Sequence, residues 1–178
     1  MIWFSRILTF LLGFFSLWGV VFLVVTTYGW EKVWYSIHGP ADLGAVEFSE
    51  LPETSSQDQV LICPELICDE GQKHQISPIY DTDALTLRTA FVKMLEQETS
   101  LERVDNDSDP MRLRFVQRSR LLRRPDTINV QFFNFDSGSA SSLALHGRSQ
   151  VEIPYLHENR KRAERWLERV KDLEKNPS

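Results

Sequence analysis

The sequence predicts an α+β chain: an N-terminal transmembrane helix, then a two-layer domain in which two helices cover one face of a mainly antiparallel sheet. Three observations carry this. Ile7 to Thr27, "ILTFLLGFFSLWGVVFLVVTT", contains no charged residue. Three successive segments between Met111 and Gln150 alternate apolar and polar residues with period two. Two further segments, one after Asp81 and one after Leu156, carry apolar residues at helical spacing.

The uncharged run of 21 residues spans roughly 30 Å as a helix, the thickness of a hydrocarbon core. Trp3 stands on one side of it and Tyr28, Trp30, Trp34 and Tyr35 on the other, amphipathic aromatics that settle at headgroup depth. The run is longer than the apolar region of a signal peptide, and no A-x-A-like cleavage site follows, so an uncleaved single-pass anchor through residues 7–27 is expected. Arg6 and the amino terminus precede the helix, whereas Glu31 and Lys32 cancel after it. The positive-inside bias then puts the N-terminus in the cytosol and the rest in a bacterial periplasm or its equivalent. The expected location is the bacterial inner membrane, with a cytosol-facing domain or an organellar membrane as the alternative.

Beyond the anchor the charge is divided unevenly. Gly29 to Asp109 holds 17 acidic and 5 basic residues, and Pro110 to Ser178 holds 8 acidic and 14 basic, so the net charge of −5 hides a dipolar chain. "ADLGAVEFSELPETSSQDQ", Ala41 to Gln59, has the Ser, Pro, Glu and Asp content of a linker or loosely held arm. The expected organisation is a transmembrane anchor over 1–35, an acidic linker over 36–59 and a folded domain over 60–175. Cys63 and Cys68 in "LICPELICDEG" are spaced C-x4-C, which is not a strong zinc pattern and has no second pair, even with His74 nearby. No metal and no cofactor is expected. In an oxidising compartment a local disulfide is the expected use, and in the cytosol both are ordinary thiols.

Downstream, "HQISPIYD" reads as a short strand. Asp81, Thr82 and Asp83 supply capping oxygens for a helix that runs to about Glu98, with Leu87, Phe91 and Met94 or Leu95 on one face. "ERVDNDSDP" ends it in a polar loop. "MRLRFVQRSR" sets Met111, Leu113 and Phe115 against Arg112, Arg114, Arg118 and Arg120. "DTINVQFFNF" turns Ile128, Val130 and Phe132 inward and Asn129 and Gln131 outward. After the turn "DSGSASS", Leu143 and Leu145 face inward, and His146, Arg148 and Gln150 outward. Connections this short require an antiparallel meander with one polar, basic face. The final helix begins near Leu156 with Ala163, Trp166, Leu167, Val170 and Leu173 toward the sheet. Its charges fall at i+3 or i+4, Glu158 with Arg162, Arg160 with Glu164 and Arg165 with Glu168, which argues against a nucleic-acid helix. Asn159, one turn before Ala163, points toward the buried side.

"RFVQRSRLLRRPDTINVQFF", "LALHGRSQ" and "NRKRAERWL", with "CPELIC" and "SPIYD", resemble the membrane-associated domain-of-unknown-function family 1499 (DUF1499) from Cys63 to about Leu173. Gln117, Arg118, Pro125, Asp126, Arg148, Ser149, Asn159, Arg160, Arg162, Glu164, Trp166 and Leu167 match the residues of that family's pattern. The family's G-x-S-D-x-G-V loop is replaced by Glu152, Ile153, Pro154, Tyr155, Leu156, His157 and Glu158. The resemblance implies a membrane-anchored domain and no particular reaction.

Ser149 or Ser139 with His146 and Asp136 supplies the residue types of a hydrolase triad, but "SGSAS" links two strands and makes no strand-to-helix elbow to expose a nucleophile. Two functional classes remain. The first is a non-catalytic membrane-anchored envelope domain that binds a protein partner or anionic headgroups, as an accessory subunit of a membrane complex, with Arg112, Arg114, Arg118, Arg120, Arg148, Asn159 and Arg160 as the candidate binding residues. The second is a small-ligand or enzymatic domain with a pocket between sheet and final helix near Arg118, Arg148, Asn159 and Arg160. The plain alternative for the arginines is a solvated sheet face. Asn159, Arg148 and Arg160 are further expected to act as a latch, Asn159 bonding the strand-to-helix loop and Arg148 pairing with Glu152 or Glu158.

Overall fold

The computed structural model describes residues 2–51, 58–68, 75–106, 108–120, 123–151 and 158–175. They form two compact units, Met1–Gly39 and Pro40–Ser178. In the first, helix α1 (Ile2–Tyr28) is long and apolar enough to cross a membrane, because Arg6 is its only charged residue. Helix α2 (Trp30–His38) follows. Gly29 separates the two with φ +78°, a backbone conformation that a residue with a Cβ adopts at a cost.

The second unit is an α+β fold built on a six-stranded sheet. Its strands are β1 (Val60–Cys63), β2 (Gln75–Ile76), β3 (Leu101–Arg103), β4 (Arg112–Arg118), β5 (Pro125–Phe135) and β6 (Ala140–Ser149), ordered β2-β1-β6-β5-β4-β3. All neighbours are antiparallel except β1 and β2. The meander β4-β5-β6 is the one the alternation requires, with Phe115 opposite Ile128 and Val130 opposite Leu145. Strands β1 and β3 were not anticipated. β1 reads as an unbroken apolar run, "VLIC", buried at every position, and β3 occupies the segment expected to be a loop.

Helices α3 (Ala84–Leu95) and α4 (Glu158–Lys175) lie on one face of this sheet. Asp83 caps α3 as expected, accepting from the backbone N–H groups of Leu85 and Thr86 and, at 2.6 Å, from the Thr86 hydroxyl. That hydroxyl bond is the main cause holding the Asp83 carboxyl below its ordinary range. The helix ends at Leu95, one turn short of Glu98. Leu87, Phe91, Met94 and Leu95 meet Ala163, Trp166, Leu167 and Val170 over Leu113, Phe115, Ile128, Val130, Phe132, Leu143 and Leu145. Phe91 stands edge-on to both Phe132 and Trp166, ring centroids 5.6 and 5.8 Å apart, the arrangement that ring quadrupoles favour. The start of the final helix near Leu156 and the side chain of Leu173 lie outside the described residues.

The opposite face of the sheet departs most from expectation. Residues 40–51, read from composition as part of a loose linker, belong to the second unit and lie across this face. Phe48 is 2% exposed and packs with Leu61, Cys63, Cys68 and Ala144, joined by Val46, Leu51, Ile67 and Phe133. Cys63 and Cys68 are joined by a disulfide with their Cα atoms 6.0 Å apart. Alternation along the strands thus yields one apolar face under helices and one mixed face under a strap of irregular backbone.

Candidate functional site

Three regions could carry function, and each follows from where the strands place alternate side chains. The first is the face under the strap, where Arg112, Arg114, Thr127, Asn129 and Arg148 point. Their partners come from residues 40–51. Arg112 holds Glu47 in a bidentate pair at 2.9–3.0 Å and Asp109 at 3.4 Å. Arg114 pairs with Asp42 at 3.0 Å. Arg148 donates to the Leu43 carbonyl and, at 3.3 Å, to that of Gly44. Asn129 donates to the Gly44 carbonyl, Gln150 to that of Pro40, and the Thr127 hydroxyl accepts from the Leu43 N–H while donating to the Ala41 carbonyl. Burial lowers the Arg148 guanidinium from its ordinary value, and Asp42 acts in the opposite sense.

The strap thereby satisfies its own backbone with the polar row of the sheet. Arg112, Arg114 and Arg148 of the expected basic surface thus meet partners within the chain, Arg112 while still 38% exposed. Arg118, further along β4, pairs with Glu102 of β3 at 3.1 Å, and Arg120 is exposed beyond the strand end. Between the strap and the segment joining β3 to β4 opens a cleft of about 390 Å³, lined among others by Val46, Asp105, Asn106, Asp109, Arg112 and Arg114. Within it, burial acts to raise the Asp105 carboxyl. Hydrogen bonds from the Arg103 side chain and the Arg114 N–H outweigh that and hold the group below its ordinary value.

The second region is a buried polar cluster under the start of α4, on the helix side. Register sets Asp126 opposite Ser149, and Ser149 Oγ donates to Asp126 Oδ1 at 2.7 Å. Asn159 Nδ2 donates to the Asp58 carbonyl at 2.7 Å and to Ser149 Oγ at 3.0 Å, while Asn159 Oδ1 accepts from Arg162 at 2.7 Å. Arg162 reaches on to Asp126 Oδ2 at 2.9 Å. Beside it Arg124, 2% exposed, donates to Asp58 at 3.3 Å, the Val151 carbonyl at 3.1 Å and Glu158 at 3.2 Å. Gly147 admits the amide, since a Cβ there would sit 3.1 Å from Asn159 Oδ1 and 3.2 Å from Val60 Cγ1.

This cluster corrects several expectations. Asn159 is buried and bonded, to residues flanking β1 and β6. Arg148 is no part of its surroundings, because on a strand Arg148 and Ser149 point to opposite faces. Glu158 pairs with Arg124 instead of Arg162, Arg160 is exposed, and Glu152 lies outside the described residues. The pocket imagined from Arg118, Arg148, Asn159 and Arg160 is therefore not assembled: two belong to the strap face, one to the helix face and one to solvent. The triad residues are dispersed in the same way, His146 and Ser149 pointing to opposite sides of β6 and Ser139 bonding the Asp136 carbonyl within the hairpin turn. Arg124 and Asp58 carried no sequence signal of their own. Asp126 stood in the resembling motifs without an assigned role, and Arg162 was expected only to pair with Glu158 along the helix.

The third region is apolar. Outer strand β2 pairs Ile76 with Cys63, and Ser77 donates to the Cys63 carbonyl at 3.1 Å. The chain then passes the end of β1 so that Tyr80 bridges to Ser141 of β6. Near this edge Leu66, Ile76 and Ile79 are 79, 54 and 66% exposed, and Leu85, in the first turn of α3, is 54% exposed. Among the described residues of the second unit, the only other large aliphatic comparably exposed is Leu43, at 36%. Glu65 and Asp81, both exposed, and Asp83 border the patch. Comparison of the chain with protein-family models and with curated proteins finds no match.

Proposed function

We propose that the chain is a non-catalytic, membrane-anchored envelope domain that holds a protein partner as an accessory subunit of a membrane complex. Helix α1 serves as its single-pass anchor, as the resemblance to a membrane-anchored family suggests, and the second unit stands on the periplasmic side of a bacterial inner membrane, the orientation that the positive-inside bias favours. The observation that carries the partner reading is the exposure of Leu66, Ile76 and Ile79 along the chain that runs from the end of β1 through outer strand β2, since large aliphatic side chains left in solvent near one another in the chain are candidates for an interaction surface. Its acidic border suits a partner with basic groups around an apolar centre. Anionic headgroups suit the domain less well, because Arg112, Arg114 and Arg148 are already engaged by the strap.

Photo-crosslinking in native membranes tests this. A crosslinker at Ile76 or Ile79 is expected to give a discrete heavier species that Leu66→Asp abolishes, while one at exposed Thr89 gives none. Equal crosslinking from all three positions, or none from the edge, refutes the partner surface. The cleft beside Asp105 and Arg114 supports a second reading as a small-ligand domain. A small polar ligand there would protect the strap against proteolysis without affecting the crosslink.

A further inference from the structure

We propose that α2 lies in the plane of the membrane, with Trp30, Val33, Trp34 and Ile37 inserted at the boundary between headgroups and acyl chains. The inference rests on α1 being a membrane anchor and goes beyond it, since an anchor needs no second helix. Around the α2 axis these four residues fall within an arc of about 100°, while Glu31, Lys32, Tyr35, Ser36 and His38 fill the remainder. No residue of the helix is fully buried: Trp30, Val33 and Trp34 are half-buried and Ile37 is 65% exposed. Such a stripe on a soluble helix would face a core.

The break at Gly29 gives α2 an axis of its own. Gly29 donates to Val25 at 2.9 Å as the last bond of α1, accepts from Val33 at 3.3 Å as the first of α2, and holds φ +78° between them. A residue with a Cβ at this position would strain the break. Because α2 begins one residue after α1 ends, its nine residues, about 13 Å of helix, remain within a headgroup layer's reach of the hydrocarbon edge. The side chains fit that depth. Tryptophan combines a large apolar ring with an N–H that seeks a wet partner, and the two indoles stand one turn apart. The polar arc carries one acid and one base, Glu31 and Lys32, so insertion is driven by apolar area and is indifferent to anionic lipid.

The test is made on the full chain in phosphatidylcholine vesicles with and without phosphatidylglycerol. Its disulfide leaves single introduced cysteines as the labelling sites. Nitroxides at Val33→Cys and Ile37→Cys are expected to collide with oxygen more than with a water-soluble nickel complex. Lys32→Cys and Ser36→Cys should show the reverse, and phosphatidylglycerol should change neither. Because none of these four sites is buried, labelling leaves the fold intact, and quenching of the Trp30 and Trp34 fluorescence by brominated lipid gives an independent reading. Nickel access at all four sites overturns the proposal. So does protection of Ile37→Cys from both reagents, which would mean that protein covers this face. Alkaline carbonate extraction separates the layers of inference: a chain released by carbonate refutes the anchor itself, whereas a retained chain with α2 in water refutes the in-plane helix alone.

Discussion

Replacing Asn159 by Ala removes one buried amide that connects three elements. The amide is 2% exposed and makes three hydrogen bonds, to the Asp58 carbonyl before β1, to Ser149 at the end of β6, and from Arg162 one turn along α4. Ser149 and Arg162 each retain Asp126, so neither is abandoned. What is lost is one hydrogen bond from a charged donor, the amide donor to a buried carbonyl and a third bond to Ser149 Oγ, which keeps Asp126, together about 2 to 4 kcal/mol. Gly147 and Val60 border the space left behind, and its small size adds little. For a unit of this length about 3 to 4 °C accompanies each kcal/mol, so the midpoint should fall by roughly 6 to 16 °C. Thermal melts of the full chain in mild detergent measure it. Arg160→Ala, exposed on the next position of the same helix, is the control and should stay within about 0.5 kcal/mol of the parent. An unchanged midpoint for Asn159→Ala would refute the structural role and assign the amide to a ligand, whose removal weakens binding and spares stability.

Gly147→Ala should cost about 1 to 3 kcal/mol through crowding of the Asn159 amide and Val60, and combining it with Asn159→Ala should cost less than the two separately in the same melts. Arg112→Ala removes a pair whose side chains are 38 and 46% exposed and should change stability by about 0.5 kcal/mol or less. Arg148→Ala removes donors to the strap carbonyls, and limited proteolysis should then cut within residues 40–51 several times faster. Replacing both cysteines by Ser should cost about 2 kcal/mol for so short a loop, visible as a lower urea midpoint. Asp105 is held below its ordinary value in the folded chain. Its contribution is therefore present above the ordinary carboxylate range and lost as pH falls through that lowered value. Parent and Asp105→Asn should differ in urea midpoint near about pH 7 and approach each other as pH falls below the ordinary carboxylate range; a gap that widens on acidification contradicts the assignment.

The parts of the fold legible in the sequence are those with a period. Leu113, Phe115, Ile128, Val130, Leu143 and Leu145 alternate, and Ala163, Trp166 and Val170 recur at helical spacing, so the helix-covered layer follows from pattern alone. Strand β1 has no alternation, because both of its faces are covered, Val60 and Ile62 by the helix layer and Leu61 and Cys63 by the strap layer. The strap has no period either. Its backbone is satisfied by side chains from the sheet, as with Leu43 and Thr127, 84 positions apart. Ser, Pro, Glu and Asp composition reports the absence of a helix or strand, and says nothing about whether irregular backbone is held.

The candidate site was less legible because charge pairing was judged by spacing. Along α4, Glu158 and Arg162 are four residues apart, and an exposed pair at that distance contributes only a few tenths of a kcal/mol. Asp126 is fully buried and takes Arg162 at 2.9 Å across 36 positions. Leaving such a carboxylate without its cation costs several kcal/mol, an order of magnitude more than the local pair returns. Arg162 therefore turns inward, and Glu158 is left to meet Arg124, which enters from the other side of the cluster. On the opposite face the more covered Arg114 pairs with Asp42, 72 positions away, whereas half-exposed Arg112 keeps Asp109, three residues away, beside Glu47. Local spacing thus identifies partners only where both charges remain in water. Once either is buried, the closed set of partners around it decides, and that set is fixed by the fold.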